Sequence, residues 1–392
     1  MSRQVKASQR DLFKKITEEQ EYDDYLVTER DADGSSIMSS LSFLTLRAKG
    51  KKDMKLFAKS AAWSERTRLS NGSFCPYSVE LYFYETLWKK YEKLEEMCSV
   101  PQEHRFRKPK LYGSSFEYLD ETLVIEDLVA KGYEDSDRQK SADFEYMSTG
   151  IALIAQFHAL SLAYSQYAPD AFKKTSEYLT MNESKLEMWL ASVSPKMLAN
   201  AFSSAEKHRE KLENYFETPK RFHQILMGYY YYRRRNSNVL VHGDFKPSNL
   251  MHRRRNGKLE LAVVDFQLVH DANAVVDLMY FIYTATDESF RRVHYRELLD
   301  LYYEQLKASL FRLRVDPEQV YPENTYRSHV AECAMLGLAI GVGLLPMVLV
   351  DKDEIPAFNE DADMDDIAVA GNALFRERFN GILNNYVEWG LL

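Results

Sequence analysis

The sequence is short of cysteine. Only Cys75, Cys98 and Cys333 occur in 392 residues, too few for a disulfide scaffold and without the paired spacing of a structural zinc site. A reducing compartment suits that usage, so a cytoplasmic location is expected. Positive charge is not in excess either: 59 acidic residues against 51 basic ones leave a net charge of −8, which gives no general attraction to nucleic acid or to an anionic membrane. Met1 to Arg30 is charge-rich and lacks the apolar run of a signal peptide, so secretion is not expected. No internal repeat or low-complexity linker divides the chain, and nothing in it points to a protein partner. No membrane span is expected. The most apolar run, Ala334 to Val350, is shorter than the ~20 residues a span needs, holds three glycines and Pro346, and ends in an acidic stretch. It reads as a buried helix.

What is present is the material of a packed protein. Hydrophobic residues make up 45% of the chain and charged residues 28%, and the length suits two lobes around a cleft. Residues 36–48 and 53–60 read as two strands joined at Lys49-Gly50-Lys51-Lys52. After an Asn71-Gly72 turn, residues 78–97 have helical spacing, with Glu80, Tyr84, Leu87 and Tyr91 on one face. Pro109 and Gly113 break the chain before a strand in TLVIEDL, and the first lobe is expected to end near Ala130. From 143 to 235 the pattern is mostly helical, with Ile151, Ile154, Phe157 and Leu160 at helical intervals. Residues 239–266 are the β exception, centred on Asn256-Gly257, a strong hairpin signal, and helical patterns resume after about 275. The expected fold class is α+β, with a small β-rich N-terminal lobe and a larger α-helical C-terminal lobe.

The most informative passage is His242-Gly243-Asp244-Phe245-Lys246-Pro247-Ser248-Asn249, followed through the hairpin by Val263-Val264-Asp265-Phe266-Gln267. If Asn256-Gly257 is a two-residue turn, residue numbers that add to 513 face each other. Asn249 then pairs with Val264 and comes beside Asp265. Two oxygen donors meet there, as Mg²⁺ prefers in sites that bridge to nucleotide phosphates. Asp244, on the loop just before them, is placed to orient an attacking hydroxyl and accept its proton.

An Asp followed five residues later by Asn, then a hairpin and an Asp-Phe pair, resembles the catalytic and metal-binding loops of protein kinases, choline kinases and aminoglycoside phosphotransferases. The His-Gly-Asp form points to the small-molecule branch. Taken together, LVIEDL, AQFHALS, VHGDFKPSNLM and VVDFQ…DLMYF resemble the ecdysteroid-kinase-like family, also called choline-kinase-like, over roughly residues 30 to 350. Each motif is short; their order and spacing are what is specific. The resemblance implies a protein-kinase-like bilobal fold with a catalytic β-hairpin, residues 1–130 forming a nucleotide-binding lobe and residues 131–392 carrying the catalytic loop and acceptor site. It implies ATP and Mg²⁺ as cofactors and an alcohol on a small molecule as acceptor.

The same resemblance places the remaining site residues. Lys59 and Glu80 correspond to the ion pair that sets a phosphate-binding lysine; the alternative is a surface lysine and a solvated helix glutamate. Ser35, Ser36 and Ser39, in Gly34-Ser35-Ser36-Ile37-Met38-Ser39, stand loosely for a glycine-rich phosphate loop. Glu126 and Leu128 fall in the interlobe connector that would meet adenine through backbone groups, or their neighbourhood holds ordinary connector charges. Many members have tryptophan where this chain has Lys246, which either stabilises the transferring phosphoryl group or is a solvated loop lysine.

Other residues read blandly. His158 is a satisfied core histidine, His242 braces the loop, and Asp277 steadies the loop by hydrogen bonds or caps a helix. Arg253-Arg254-Arg255 is a solvated run and Tyr229 to Tyr232 pack a helix. An apolar, hydroxylated acceptor of ecdysteroid type is expected from the family resemblance and from the 26 tyrosines, 21 phenylalanines and 14 methionines. The rivals are a choline-, ethanolamine- or aminoglycoside-type acceptor, drawn by the acidic stretch from Asp351 to Asp366, and a catalytically inactive nucleotide-binding module. Protein kinase activity is disfavoured because no Ala-Pro-Glu segment follows Asp265.

Overall fold

A computed structural model describes residues 6–29, 39–62, 64–65, 68, 76–179, 183–230, 239–351, 354 and 369–392. The chain opens with helix α1 (Ala7–Glu19), then strands β1 (Asp24–Glu29), β2 (Ser39–Arg47) and β3 (Met54–Ala61). A short helix α2 (Pro76–Tyr82) runs through one π-helical turn (Phe83–Leu87) into α3 (Trp88–Met97), and β4 (Leu111–Ser115) and β5 (Thr122–Glu126) close the first part. The five strands form one antiparallel sheet in the order β1-β2-β3-β5-β4. Leu12, Phe13 and Ile16 of α1 pack on Leu44, Leu46, Leu56, Ala58 and Val124, the apolar positions alternating along β2, β3 and β5.

The sheet starts earlier than the sequence pattern indicates. Both α1 and β1 precede the first strand expected, and their short apolar stripes are interleaved with charge, which hides the period. The helical stretch 78–97 is present, but the π turn interrupts it and shifts the side-chain phase by one position.

The larger part is helical: α4 (Phe144–Tyr167), α5 (Pro169–Tyr178), α6 (Glu183–Ser204), α7 (Arg209–Phe216) and α8 (Pro219–Tyr230), followed after the β region by α9 (Val275–Ala285), α10 (Glu288–Arg312), α11 (Pro317–Val320), α12 (Glu323–Glu332), α13 (Leu336–Gly343), α14 (Leu345–Leu349) and α15 (Ala373–Glu388). Asp143 caps α4 by accepting from Tyr146 N at 2.8 Å, and Asp287 caps α10 by accepting from Phe290 N at 2.8 Å. These two helices pack side by side. Among the described residues α4 is the one helix long and apolar enough to cross a membrane, and 72% of that window is buried inside the protein. A helix apolar on every side is what a core position requires. The run from Ala334 to Val350 is likewise buried, as α13 and α14 with a break at Leu344.

The β region of this part holds β6 (Val239–Val241) paired with β9 (His270–Ala272), and the hairpin β7 (Leu250–Arg255) with β8 (Lys258–Val263). The hairpin register runs from Leu250↔Val263 to Arg255↔Lys258, the register the two-residue turn dictates. Asn256 and Gly257 take φ of 51° and 77°, the paired left-handed conformations of a tight hairpin turn. The molecule is thus α+β, a small antiparallel sheet followed by a larger helical part.

Candidate functional site

The loop His242–Asn249 leaves β6 through Gly243, whose φ is 80°. A Cβ there would lie 2.2 Å from the Leu268 carbonyl oxygen, so both the backbone angle and the space demand glycine. Asp277, fully buried in the first turn of α9, takes hold of the loop: its Oδ2 accepts from His242 N at 2.6 Å and its Oδ1 from Gly243 N at 2.9 Å. His158 on α4 contacts the same carboxylate through Nε2 at 3.2 Å and meets the Tyr302 hydroxyl through Nδ1 at 2.7 Å. Burial alone would raise the Asp277 carboxyl, but the hydrogen bonds it accepts from His158 and from the His242 N–H help hold it below the ordinary range. His158 is thus a satisfied core group. His242 braces the loop, with Nδ1 accepting from Asp244 N at 3.3 Å and Nε2 facing the Val264 carbonyl at 3.1 Å.

Asp244 ends up surrounded by donors. Lys246 Nζ lies 2.8 and 2.7 Å from its two carboxylate oxygens, Asn249 Nδ2 donates to Oδ2 at 2.9 Å, and the Tyr280 hydroxyl donates to Oδ1 at 2.8 Å. A 3₁₀ turn over Pro247–Asn249 brings Asn249 back toward Asp244, where its Nδ2 also donates to the Asp244 carbonyl at 2.9 Å.

A second cluster crosses from the sheet. Lys59 Nζ on β3 lies 2.8 Å from Glu80 Oε2 on α2 and 2.5 Å from Asp265 Oδ1. Burial favours the neutral amine, yet Asp265 and Glu80 together outweigh it and hold the Lys59 pKa above the ordinary lysine value. The Asp265 carboxyl is depressed despite burial, by Lys59 first and then by Lys246 and His242. Burial raises Glu80, which Lys59 only partly opposes. Glu80 has a further partner, since its Oε1 accepts from Phe266 N at 3.1 Å. The π turn directs Phe83 onto Phe266, with ring centroids 3.7 Å apart, and Tyr84 edge-on to it at 5.8 Å. Asp265 itself has φ of 67°, a left-handed conformation tolerated by Asp and fixed here by its neighbours on both sides.

The two clusters are one residue apart. Asn249 O accepts from Val264 N at 3.0 Å, as the hairpin register requires, so Asp265 follows directly on the residue paired with Asn249. Around this point stand Lys59, Glu80, Asp244, Lys246, Asn249 and Asp265. Of the connector residues, Glu126 Oε1 pairs with Lys131 at 3.3 Å and its N–H bonds the Lys110 carbonyl at 2.8 Å, while Leu128 belongs to a small apolar cluster with Met251, Ala262 and Val264, the residue paired with Asn249. Ser39 opens β2 opposite Ala61. Ser35 and Ser36 lie outside the described residues, as does the stretch from Asp351 to Asp366 apart from Asp351 and Glu354; of Tyr229 to Tyr232 only the backbone of the first two is described. The arginine run is tied down more than a solvated run would be, with Arg253 on Glu260 at 2.7 Å and Arg254 paired with Glu145.

Two neighbours of the site escape the sequence reading. Tyr280 lies three residues after Asp277 on α9, the interval that puts both on one helix face. Gln267, buried, donates to Asp265 Oδ1 at 3.1 Å and accepts from Lys59 Nζ at 3.3 Å when its amide is oriented to satisfy both.

No curated protein matches the chain. Among solved structures, the microcompartment-associated aminopropanol kinase aligns at 11% identity over 96% of this chain and 98% of its own, with a TM-score of 0.39. The Plasmodium vivax ethanolamine kinase aligns at 11% identity over 91% of this chain and 85% of its own, also with a TM-score of 0.39. The family model described as ecdysteroid kinase-like matches residues 34–315, a span that takes in both clusters. The chain therefore belongs to the ecdysteroid kinase-like family and, as a member, is a small-molecule kinase.

Proposed function

We propose that the protein transfers the γ-phosphoryl group of ATP to an alcohol hydroxyl, with Asp244 as the base and an apolar, hydroxylated molecule of ecdysteroid type as acceptor. The observation that carries this reading is the meeting of Lys59, Glu80 and Asp265 with Asp244, Lys246 and Asn249 across one hairpin residue. Such a site has a cation for phosphate oxygens and a carboxylate for the acceptor proton side by side.

The donor set fits Mg²⁺, a hard cation that takes oxygen ligands from one or two protein groups and leaves the rest to phosphates and water. Asp265 offers a carboxylate held ionised. Asn249 commits its amide nitrogen to Asp244, which leaves its amide oxygen for a metal. Bound there, the ion would neutralise charge on the transferring phosphates. Glu80 keeps Lys59 aimed at the site, and Lys59 is the group for the nucleotide's inner phosphates. Asp244 receives the acceptor hydroxyl as a hydrogen bond and takes its proton as the new P–O bond forms and the bond to ADP breaks. Lys246, half-buried beside Asp244, supplies positive charge where the phosphoryl group passes. The nucleotide lobe ends near Ala130 in this reading, and Leu128 and Glu126 border the adenine side.

Family membership and the aromatic and methionine content support an apolar acceptor. The test is ATP consumption over a panel of hydroxylated steroids, choline, ethanolamine and aminoglycosides, with mass detection of phosphate on the acceptor. A phosphorylated steroid is expected. Phosphorylation of an amine alone would overturn the acceptor class, and phosphorylation of nothing would overturn the kinase mechanism.

A further inference from the structure

Helix α9 grips the catalytic loop at two points on one face. Asp277 holds the backbone N–H groups of His242 and Gly243, and three residues on the Tyr280 hydroxyl reaches the Asp244 side chain at 2.8 Å. Tyr280 is 5% exposed, so its ring is fixed by packing and its hydroxyl has little freedom. The helix is itself immobilised: Phe281 packs edge-on against Phe245 of the loop at 5.1 Å and lies so close to α4 that a Cβ on Gly150 would meet its ring at 2.6 Å.

The donors around Asp244 fall into two kinds. An ionised carboxylate has about four lone-pair sites, and four hydrogen bonds occupy them: Tyr280 and Lys246 on Oδ1, Asn249 and Lys246 on Oδ2. An acceptor hydroxyl can enter only if one donor yields. Lys246 is the long, flexible and more exposed one, whereas Tyr280 and Asn249 are buried and rooted in α9 and the 3₁₀ turn.

We propose that Tyr280 is a positioning residue for the reaction: its hydroxyl anchors Asp244 Oδ1 so that, when Lys246 leaves, the carboxylate keeps the orientation in which it meets the acceptor hydroxyl. This rests on the assignment of Asp244 as the base. Tyr280 keeps its own proton throughout; the acceptor's proton goes to Asp244. Its neutral O–H orients the base without the full charge compensation a lysine imposes.

The experiment uses the full chain with Mg-ATP and water as acceptor, read as inorganic phosphate release, and then any alcohol from the panel that is phosphorylated. Tyr280→Phe removes the hydroxyl and keeps the ring. Turnover per nucleotide-binding site is expected to fall about 10-fold or more, part of the span a general base commands, with ATP affinity and acceptor KM unchanged. In an Asp244→Asn background the same substitution should have no further effect, because residues acting through one group are non-additive. Counting only nucleotide-competent sites by calorimetry keeps the comparison valid where Tyr280→Phe folds poorly. Wild-type turnover in Tyr280→Phe, or an equal further loss in the Asp244→Asn background, overturns the positioning role. A wild-type protein that turns over no ATP with any acceptor overturns the base assignment and this inference together.

Discussion

The two halves of the site are held together by different means. Asp244, Lys246 and Asn249 lie within six consecutive residues, and their geometry is set by a glycine turn, a 3₁₀ turn and one face of α9. Lys59 and Asp265 are 206 residues apart and meet only because a sheet strand and a hairpin end face one another, with Glu80 beside them. The proposed base is therefore organised locally, whereas the Lys59 cluster depends on the whole packing of sheet against helices. Damage to the first should cost chemistry alone. Damage to the second should cost nucleotide binding and stability as well.

Asp244→Asn is the sharpest way to isolate the local half. It keeps the side-chain size but removes the proton acceptor, so kcat should fall by about two to four decades while Mg-ATP affinity and the melting temperature hold. Steady-state kinetics and a thermal scan check it, and a concurrent loss of nucleotide affinity would show the two halves to be coupled.

Lys59→Met attacks the long-range half. It strands the buried Glu80 and the partly exposed Asp265 without their cation; breaking a fully buried pair costs about 3–5 kcal/mol, and solvent at Asp265 lessens that. Denaturant unfolding should show a loss toward the low end of that range, together with weaker nucleotide binding. The acid side should change too. Asp265 has a depressed pKa in the folded protein, so its contribution is present above the unfolded carboxyl pKa of about 3.9 and is lost as pH falls below it. Glu80, raised by burial, acts in the opposite sense. Without Lys59 the stabilising acid dependence from Asp265 should largely vanish.

A smaller effect separates Lys59 from a second enclosed lysine. Lys108 lies over the rings of Tyr84 and Trp88, at 4.9 and 4.4 Å, and its Nζ donates to the Pro109 carbonyl at 3.0 Å. Burial lowers its pKa to about 7, which the charges of Glu92, Glu95 and Glu126 do not offset. Lys59, with carboxylates in direct contact, goes the other way. Folded Lys108 releases its proton near neutrality while the unfolded lysine keeps it to about pH 10, so this group makes stability rise with pH between about 7 and 10. Lys108→Met should flatten that rise, measured as unfolding free energy against pH.

Much of the loop half is legible in the sequence because its determinants are short-range. Asn256-Gly257 sets the hairpin register, and the register alone puts Asn249 opposite Val264. The strand lysine and helix glutamate also announce their order, although their contact needs the folded chain. What sequence pattern misses is either masked by charge or made by tertiary packing. Helix α1 and β1 alternate apolar and charged residues too briefly for a clear period, and the π turn at Phe83–Leu87 has no local signature; it is sustained by Phe83 and Tyr84 packing on Phe266. Tyr280 and Gln267 look like core and loop residues until Asp244, Lys59 and Asp265 are brought to them.

The most direct measurement is calorimetry of ATP binding, with and without Mg²⁺, to the wild-type chain, Asp244→Asn and Asp265→Ala. In the proposed Mg²⁺ site, removing Asp265 would take away the one charged oxygen ligand and leave Asn249 alone for the metal. The predicted result is wild-type Mg-ATP affinity in Asp244→Asn and loss of the Mg²⁺-dependent affinity in Asp265→Ala. Undiminished Mg-ATP binding by Asp265→Ala would contradict the division of the site into a binding half and a chemical half.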